Sequence, residues 1–280
     1  MKKQMVLRTK KNDMFSQPIG IFDSGLGGLT VAKEIFRQLP YEDVIYYGDT
    51  ARVPYGNKSK KTITKFSLEN ADFLKEYNVK LIIVACNTAC SLSLQALKKK
   101  IDIPIVGVIE PAVKRAIQIS KNGKIGIIGT NSTINSKAYD KKIKKIDKAM
   151  QVSSKSCPLF VPLVEEGWLN KDITYKIAKT YLDCFKKRNV DTLILACTHY
   201  PLLKKIISTI MGPKVKLVDS ASEVAKVVKL VLNEDNALRK NKRISRYSYY
   251  VSDEPLKFAN IGAKFLGRSI NKVKRVNNEL

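Results

Sequence analysis

At 280 residues, 44% hydrophobic and 27% charged, the chain has a globular composition able to fill one large domain or two medium ones, and no apolar run reaches the ~18 residues of a membrane-spanning helix. A net charge of +26 attracts polyanions, but the lysines are spread along the chain without an aromatic-interleaved basic motif, so a solvated surface is expected ahead of nucleic-acid binding. Five cysteines with no C-x-x-C pair and a single histidine exclude a multi-histidine metal centre; free thiols in a cytoplasmic protein are expected, with no metal.

The basic start, MKKQMVLRTKKNDMFSQ, lacks the apolar core of a secretory signal, and residues 1–17 are read as a loose extension. The first predicted strand, 19–22, runs into DSGLGG (23–28), whose glycines permit a tight turn before a helix over 29–39. A strand over 44–47 leads to GDTARVPYG (48–56) and a helix over 62–77. The third strand, 79–85, ends at Cys86-Asn87-Thr88, where a helix over 88–100 begins. A strand at 103–108 and a helix at 111–120 follow, then a strand at 124–128, GTNST (129–133) and a helix at 136–146. CPLFVPLVEEGW (157–168) precedes a helix over 173–188. The strand at 192–196 ends at Cys197-Thr198-His199, with a helix at 201–211 and a strand at 216–218 behind it. Helices at 222–232 and 256–266 bracket a strand at 247–252, and a last strand lies near Val273.

Strand alternating with helix points to an α/β fold, and the unbroken aliphatic runs LIIVA and LILA mark strands buried on both faces, as in a parallel sheet. Two short matches suggest duplication. VKLIIVAC (79–86) and VDTLILAC (190–197) agree at four of eight positions, and IGIFDS (19–24) aligns with IGIIGT (125–130). Two similar doubly wound α/β domains with mostly parallel sheets are therefore expected, the site lying in the cleft between them. Such a duplication sets Ser24 and Cys86 opposite Thr130 and Cys197.

Ligands of parallel sheets bind beyond the carboxyl ends of the strands, and the polar clusters of this chain fall there. Each has a plain structural reading as well. DSGLGG and GTNST can be helix caps, GDTARVPYG a turn, His199 a satisfied core residue, and either cysteine a small buried hydrophobe. The pair of cysteines carries more weight than either alone. Each ends an aliphatic strand and is followed by hydrogen-bonding side chains, and a helix N-terminus there is expected to lower the thiol pKa. Two opposed thiols, one removing a proton from carbon and the other returning one to the far face, are what stereochemical inversion requires. Asp23 is placed to assist Cys86; His199, and Glu165 if its loop reaches the cleft, to assist Cys197. Cys90 is assigned to packing.

PIGIFDSGLGGLTV, YYGDTARVPYG, ACNTA, GVIEPA, GTNST, VPLVEEG, ACTHYPLL and VDSA stand in this order over about residues 18–280, and as a set they resemble the glutamate racemases of the aspartate/glutamate racemase superfamily. Thr-His after the second cysteine resembles the glutamate enzymes; Thr-Glu is expected in those acting on aspartate. The resemblance implies cofactor-independent interconversion of L- and D-glutamate, supplying D-glutamate for peptidoglycan, with Cys86 and Cys197 catalytic. It implies help from Asp23, Glu165 and His199, and substrate contacts from Asp23, Ser24, Tyr55, Gly56, Asn87, Thr88, Thr130, Thr133, Thr198 and His199. It also implies a discontinuous first domain, 18–113 with 222–280, and a second of 114–221. A homodimer with glutamate as substrate and no membrane partner is expected. The alternatives are a racemase of aspartate or another amino acid, and a non-catalytic nucleic-acid-binding protein on the same scaffold. The choice between Glu165 and the adjacent Glu166 is left open.

Overall fold

Aliphatic strands buried on both faces need helices on both sides, and the chain supplies them twice. The computed structural model describes residues 14–276. The first sheet takes β1 (Ile19–Asp23), β2 (Val44–Gly48), β3 (Leu81–Val84) and β4 (Ile105–Gly107), with β9 (Tyr247–Val251) and β10 (Val273–Arg275) added at the β2 edge. The second takes β5 (Lys124–Gly129), β6 (Gln151–Ser156), β7 (Thr192–Ala196) and β8 (Lys216–Asp219). Every pairing is parallel. β1, β3 and β7 are buried at every position, as their unbroken hydrophobicity demands.

The duplication extends to topology. The strand orders are β2-β1-β3-β4 and β6-β5-β7-β8, and the registers match as well: Ile19 faces Leu81 in one sheet and Ile125 faces Thr192 in the other. In both, the order reverses between the first strand and its neighbour, the switch point where doubly wound sheets open a crevice. Ser24 and Cys86 follow the two strands at one switch point, and Thr130 and Cys197 follow those at the other.

The helices that position the site are α1 (Leu29–Gln38), α2 (Lys60–Glu76), α3 (Asn87–Lys100), α4 (Ile109–Ile119), α5 (Asn131–Asn135), α6 (Ala138–Ile146) and α7 (Phe160–Glu165). Behind them lie α8 (Asp172–Lys187), α9 (Lys204–Met211), α10 (Ser220–Glu234) and α11 (Pro255–Leu266). α4 runs unbroken through the expected boundary at 113/114 and packs on β7 and β8, while α10 packs against both α1 and α4.

Three features were not legible in the periodicity. β6, QVSSKS, is polar and half exposed because it is an edge strand. α7 occupies the stretch expected to be a loop around Glu165, with Pro162 in its first turn, where a proline costs no backbone bond. The helix expected over 201–211 begins with a 3₁₀ turn, Tyr200–Leu203. Residues 1–13 of the expected extension lie outside the described residues. Residues 14–17 are not loose: Arg239 donates from Nε to Phe15 O at 2.8 Å and from Nη2 to Ser16 O at 2.6 Å. No helix among the described residues is long and apolar enough to cross a membrane.

Candidate active site

The strand ends of both sheets converge on one cavity of about 320 Å³. Of the thirteen residues expected in the site, eleven line it: Ser24, Tyr55, Gly56, Cys86, Asn87, Thr88, Thr130, Glu165, Cys197, Thr198 and His199. Asp23 and Thr133 stand one layer behind.

Cys86 ends the loop after β3 and caps α3, its Sγ accepting from Ala89 N–H at 3.5 Å. Its thiol lies 3.7 Å from Ser24 Oγ. The expectation that the helix N-terminus lowers this thiol's pKa is not met. Burial, with the charge of Asp23 beside it, outweighs the Ala89 and Ser24 hydrogen bonds and pushes the thiol up to about 12. Cys86 therefore rests protonated. Asp23, fully buried, is itself raised by burial, with His199 and the N–H groups of Gly28 and Gly25 working against the shift. At this turn Asp23 accepts from Gly25 N–H at 3.1 Å.

Cys197 is followed by a turn rather than by an α-helix, so it receives a side chain where Cys86 has a helix end. His199 Nδ1 lies 3.9 Å from Cys197 Sγ, and His199 Nε2 is 2.9 Å from Glu165 Oε1. Burial alone would lower the imidazole; the hydrogen bonds to Cys197 and Glu165 overcome it and raise His199 to about 10. The ring is an imidazolium at neutral pH, with positive charge to set against any negative charge that develops on the Cys197 sulfur. Glu166 also lines the cavity, but it is Glu165 that bonds His199.

The two sides meet through hydroxyls and one amide. Thr88 of α3 lies 2.9 Å from Thr130 and 3.2 Å from Thr133, which are 3.0 Å apart, so three hydroxyls close a ring across the sheets. Ser132 donates to Gly56 O at 2.7 Å. Tyr139 of α6 donates to Asn87 Oδ1 at 2.5 Å, which turns the amide Nδ2 away from the tyrosine. Among the described residues, Asn87 Nδ2 is the only buried side-chain nitrogen or oxygen without a partner. A buried donor left unpaired costs ~1–3 kcal/mol, and Asn87 is one of the residues that line the cavity. Tyr55 is fixed from below, its hydroxyl on Asp49 and on Asn70 Nδ2 at 3.1 Å, and Arg52 braces Asp49 from Nε at 2.7 Å.

Close approach explains the DSGLGG glycines. A Cβ on Gly27 would stand 2.2 Å from Thr198 Oγ1 and 2.5 Å from His199 Nδ1, so the turn after β1 can touch the turn after β7 only as glycine. Sequence reasoning missed Tyr139, which reads as the apolar face of an ordinary helix, and the apolar wall of Val53, Pro54, Pro158, Val161 and Pro162. The last three lie inside the quoted CPLFVPLVEEG block and were the available signal.

Comparison with known proteins agrees with this geometry. The Asp/Glu/hydantoin racemase pattern matches residues 19–228, from β1 into α10. A glutamate racemase of Geobacter metallireducens is 51% identical over 261 residues, 93% of this chain and 97% of that protein. A glutamate racemase isoform of Bacillus anthracis superimposes with a TM-score of 0.90 at 39% identity, covering 93% of this chain and 97% of its own. The Francisella tularensis glutamate racemase, solved with D-glutamate, gives 0.89 at 40% identity over 95% and 99%. The chain belongs to the Asp/Glu/hydantoin racemase family.

Proposed function

We propose that this chain racemises glutamate by passing the α-proton between two thiols, Cys86 and Cys197. The observation that carries the proposal is that these two cysteines, which end register-equivalent strands of the two sheets, line one cavity. The relatives named above are glutamate racemases, which favours glutamate over aspartate as the substrate.

The buried thiol of Cys86 is a proton donor as it rests, and Cys197, beside the imidazolium of His199, is the side on which charge is best met. Removal of the proton by Cys197 and return by Cys86 inverts the carbon; the reverse reaction exchanges the roles. The substrate ammonium brings positive charge toward Asp23 and Cys86, both held up by burial, and so favours their ionised forms when substrate is bound. Asn87 Nδ2, Ser24, Thr88, Thr130 and Thr198 supply hydrogen bonds to the substrate carboxylates, with Thr133 orienting Thr130 and Thr88. Tyr55 and Gly56 form the opposite wall. Each fixed donor aimed at developing charge is worth ~3 kcal/mol. The two halves, 18–113 with 222–280 and 114–221, flank this cleft and are joined through α4 and α10, in a cytoplasmic homodimer that supplies D-glutamate for peptidoglycan. The net charge of +26 steers the anionic substrate, and nucleic-acid binding is not the function.

In D₂O, either enantiomer of glutamate is expected to exchange its α-proton and racemise without added pyridoxal phosphate, followed by NMR and circular dichroism. Cys86→Ala and Cys197→Ala are each expected to abolish racemisation. Near-wild-type racemisation by either variant overturns the two-thiol scheme, and faster turnover of aspartate than glutamate overturns the substrate.

A further inference from the structure

Cys86 and Cys197 are only 5% and 6% exposed, so the cavity has to open before glutamate can pass in or out. Two contacts between the strand ends of the two sheets hold it shut, and they are built differently. At the first, Gly27 lies against Thr198 and His199, Thr30 Oγ1 donates to Thr198 O at 3.1 Å, and Thr198 Oγ1 donates to Asp23 at 3.4 Å. Every residue of that joint is buried.

The second contact lies at the rim. Val53, Pro54 and Asn57 on one side, and Pro158, Pro162 and Glu166 on the other, are exposed and also line the cavity, which marks its mouth. The segment 53–58 is rooted on the first sheet's side, because the Tyr55 hydroxyl is tied to Asp49 and Asn70. Beyond Tyr55 it meets α5. Gly56 packs flat against Thr130, where a Cβ would stand 2.9 Å from Thr130 Cβ. Among the described residues, the hydrogen bonds from this segment to α5 all come from Ser132 Oγ, 2.7 Å from Gly56 O and 3.4 Å from Lys58 O. A hydroxyl has one proton to give, so the rim is held by a single neutral hydrogen bond, chiefly to Gly56. The two sides of α5 divide the work: Thr133 turns to Thr88 and Thr130, while Ser132, which does not line the cavity, turns to the rim.

We propose that Ser132 is the latch of the catalytic cavity: its hydrogen bond to Gly56 O closes the 53–58 segment over the cavity, and substrate enters and leaves when this bond breaks while the Gly27 joint stays made. The proposal rests on the reading of this cavity as the site of glutamate racemisation. Ser132 is a positioning residue, acting through the rim and not on the reacting atoms. The latch is made in the empty cavity and does not contact what fills it, so its loss speeds opening without favouring the free over the occupied state.

The test is alkylation of the full chain by iodoacetamide in the absence of substrate, followed at each cysteine by peptide mass spectrometry. Cys197 is expected to react about fivefold faster in Ser132→Ala than in wild type, the scale of one neutral hydrogen bond. Cys90, a buried thiol that does not line the cavity, is expected to react at the wild-type rate, and Ser132→Thr, which keeps the hydroxyl, to restore slow reaction at Cys197. Glutamate affinity, by calorimetry, is expected to change less than twofold. In Ser132→Ala the kcat of racemisation is expected to be no lower than in wild type, with an α-deuterium isotope effect on kcat at least as large, because faster opening leaves proton transfer more fully rate-limiting. An unchanged rate at Cys197 overturns the proposal. So does an equal acceleration at Cys90, which marks general loosening, and so does a tenfold fall in kcat, which places the effect of Ser132 on the chemistry through Thr130 and Thr133. If wild type fails to racemise glutamate while the alkylation rates behave as expected, it is the racemisation reading that fails.

Discussion

Asn87 lines the cavity and carries a buried amide nitrogen without a partner, while its amide oxygen is held by Tyr139. Tyr139→Phe leaves the shape intact but frees the amide to rotate. It is expected to lower kcat/KM about tenfold, chiefly through KM, while Tm falls by only about 2–4 °C. Unchanged kinetics in that variant would mean that Tyr139 does no more than pack. The two adjacent glutamates separate as cleanly. Glu165→Gln removes the carboxylate that holds a charge on His199, whereas Glu166→Gln leaves that bond in place, so steady-state assays should show a loss of tenfold or more only in the first. Cys86, Cys197 and His199 stood out in the sequence because two cysteines at matched strand ends, each followed by hydrogen-bonding side chains, are not explained by the packing reading of either alone, and all three line one cavity. Tyr139 did not, because its partner lies 52 positions away and its place in an amphipathic helix is already explained by burial.

At the scale of elements, the legible part was whatever is buried on both faces. β1, β3, β5 and β7 announce themselves by their hydrophobicity, and the structure extends their repeat to a shared register. What escaped notice was peripheral: β6 earns its place by backbone pairing to β5, with no apolar face for a pattern to reveal. The helix ends misled in a different way. A helix does begin at Cys86, but a fully enclosed thiol loses more by desolvation than one helix terminus returns. The contact between the β1–α1 turn and the turn after β7 is the most tightly built joint. Gly27→Ala must displace Thr198 and His199 together, and a cost of ~1–3 kcal/mol is expected in denaturant unfolding, with racemisation falling well beyond what that loss of stability explains.

For the whole molecule, the imidazolium of His199 links folding to pH. Its folded value, about 10, stands above the ordinary 6.5, so the charged form contributes stability that is complete below about pH 6.5 and lost as pH rises through about 10. The Tm advantage of wild type over His199→Asn should be largest near pH 6 and shrink toward pH 10; a gap that widens with alkalinity contradicts the assignment. The two sides of the cavity are unlike, an enclosed thiol facing a thiol beside an imidazolium, yet they serve a reaction whose substrate and product have equal free energy in water. Thermodynamics therefore forbids the unlikeness from favouring either enantiomer in kcat/KM: any substitution on one wall must slow both directions by the same factor. The asymmetry of the strand ends can surface only in how each direction divides that shared quotient between turnover and saturation, and so in which enantiomer occupies the resting enzyme at equal concentrations of both.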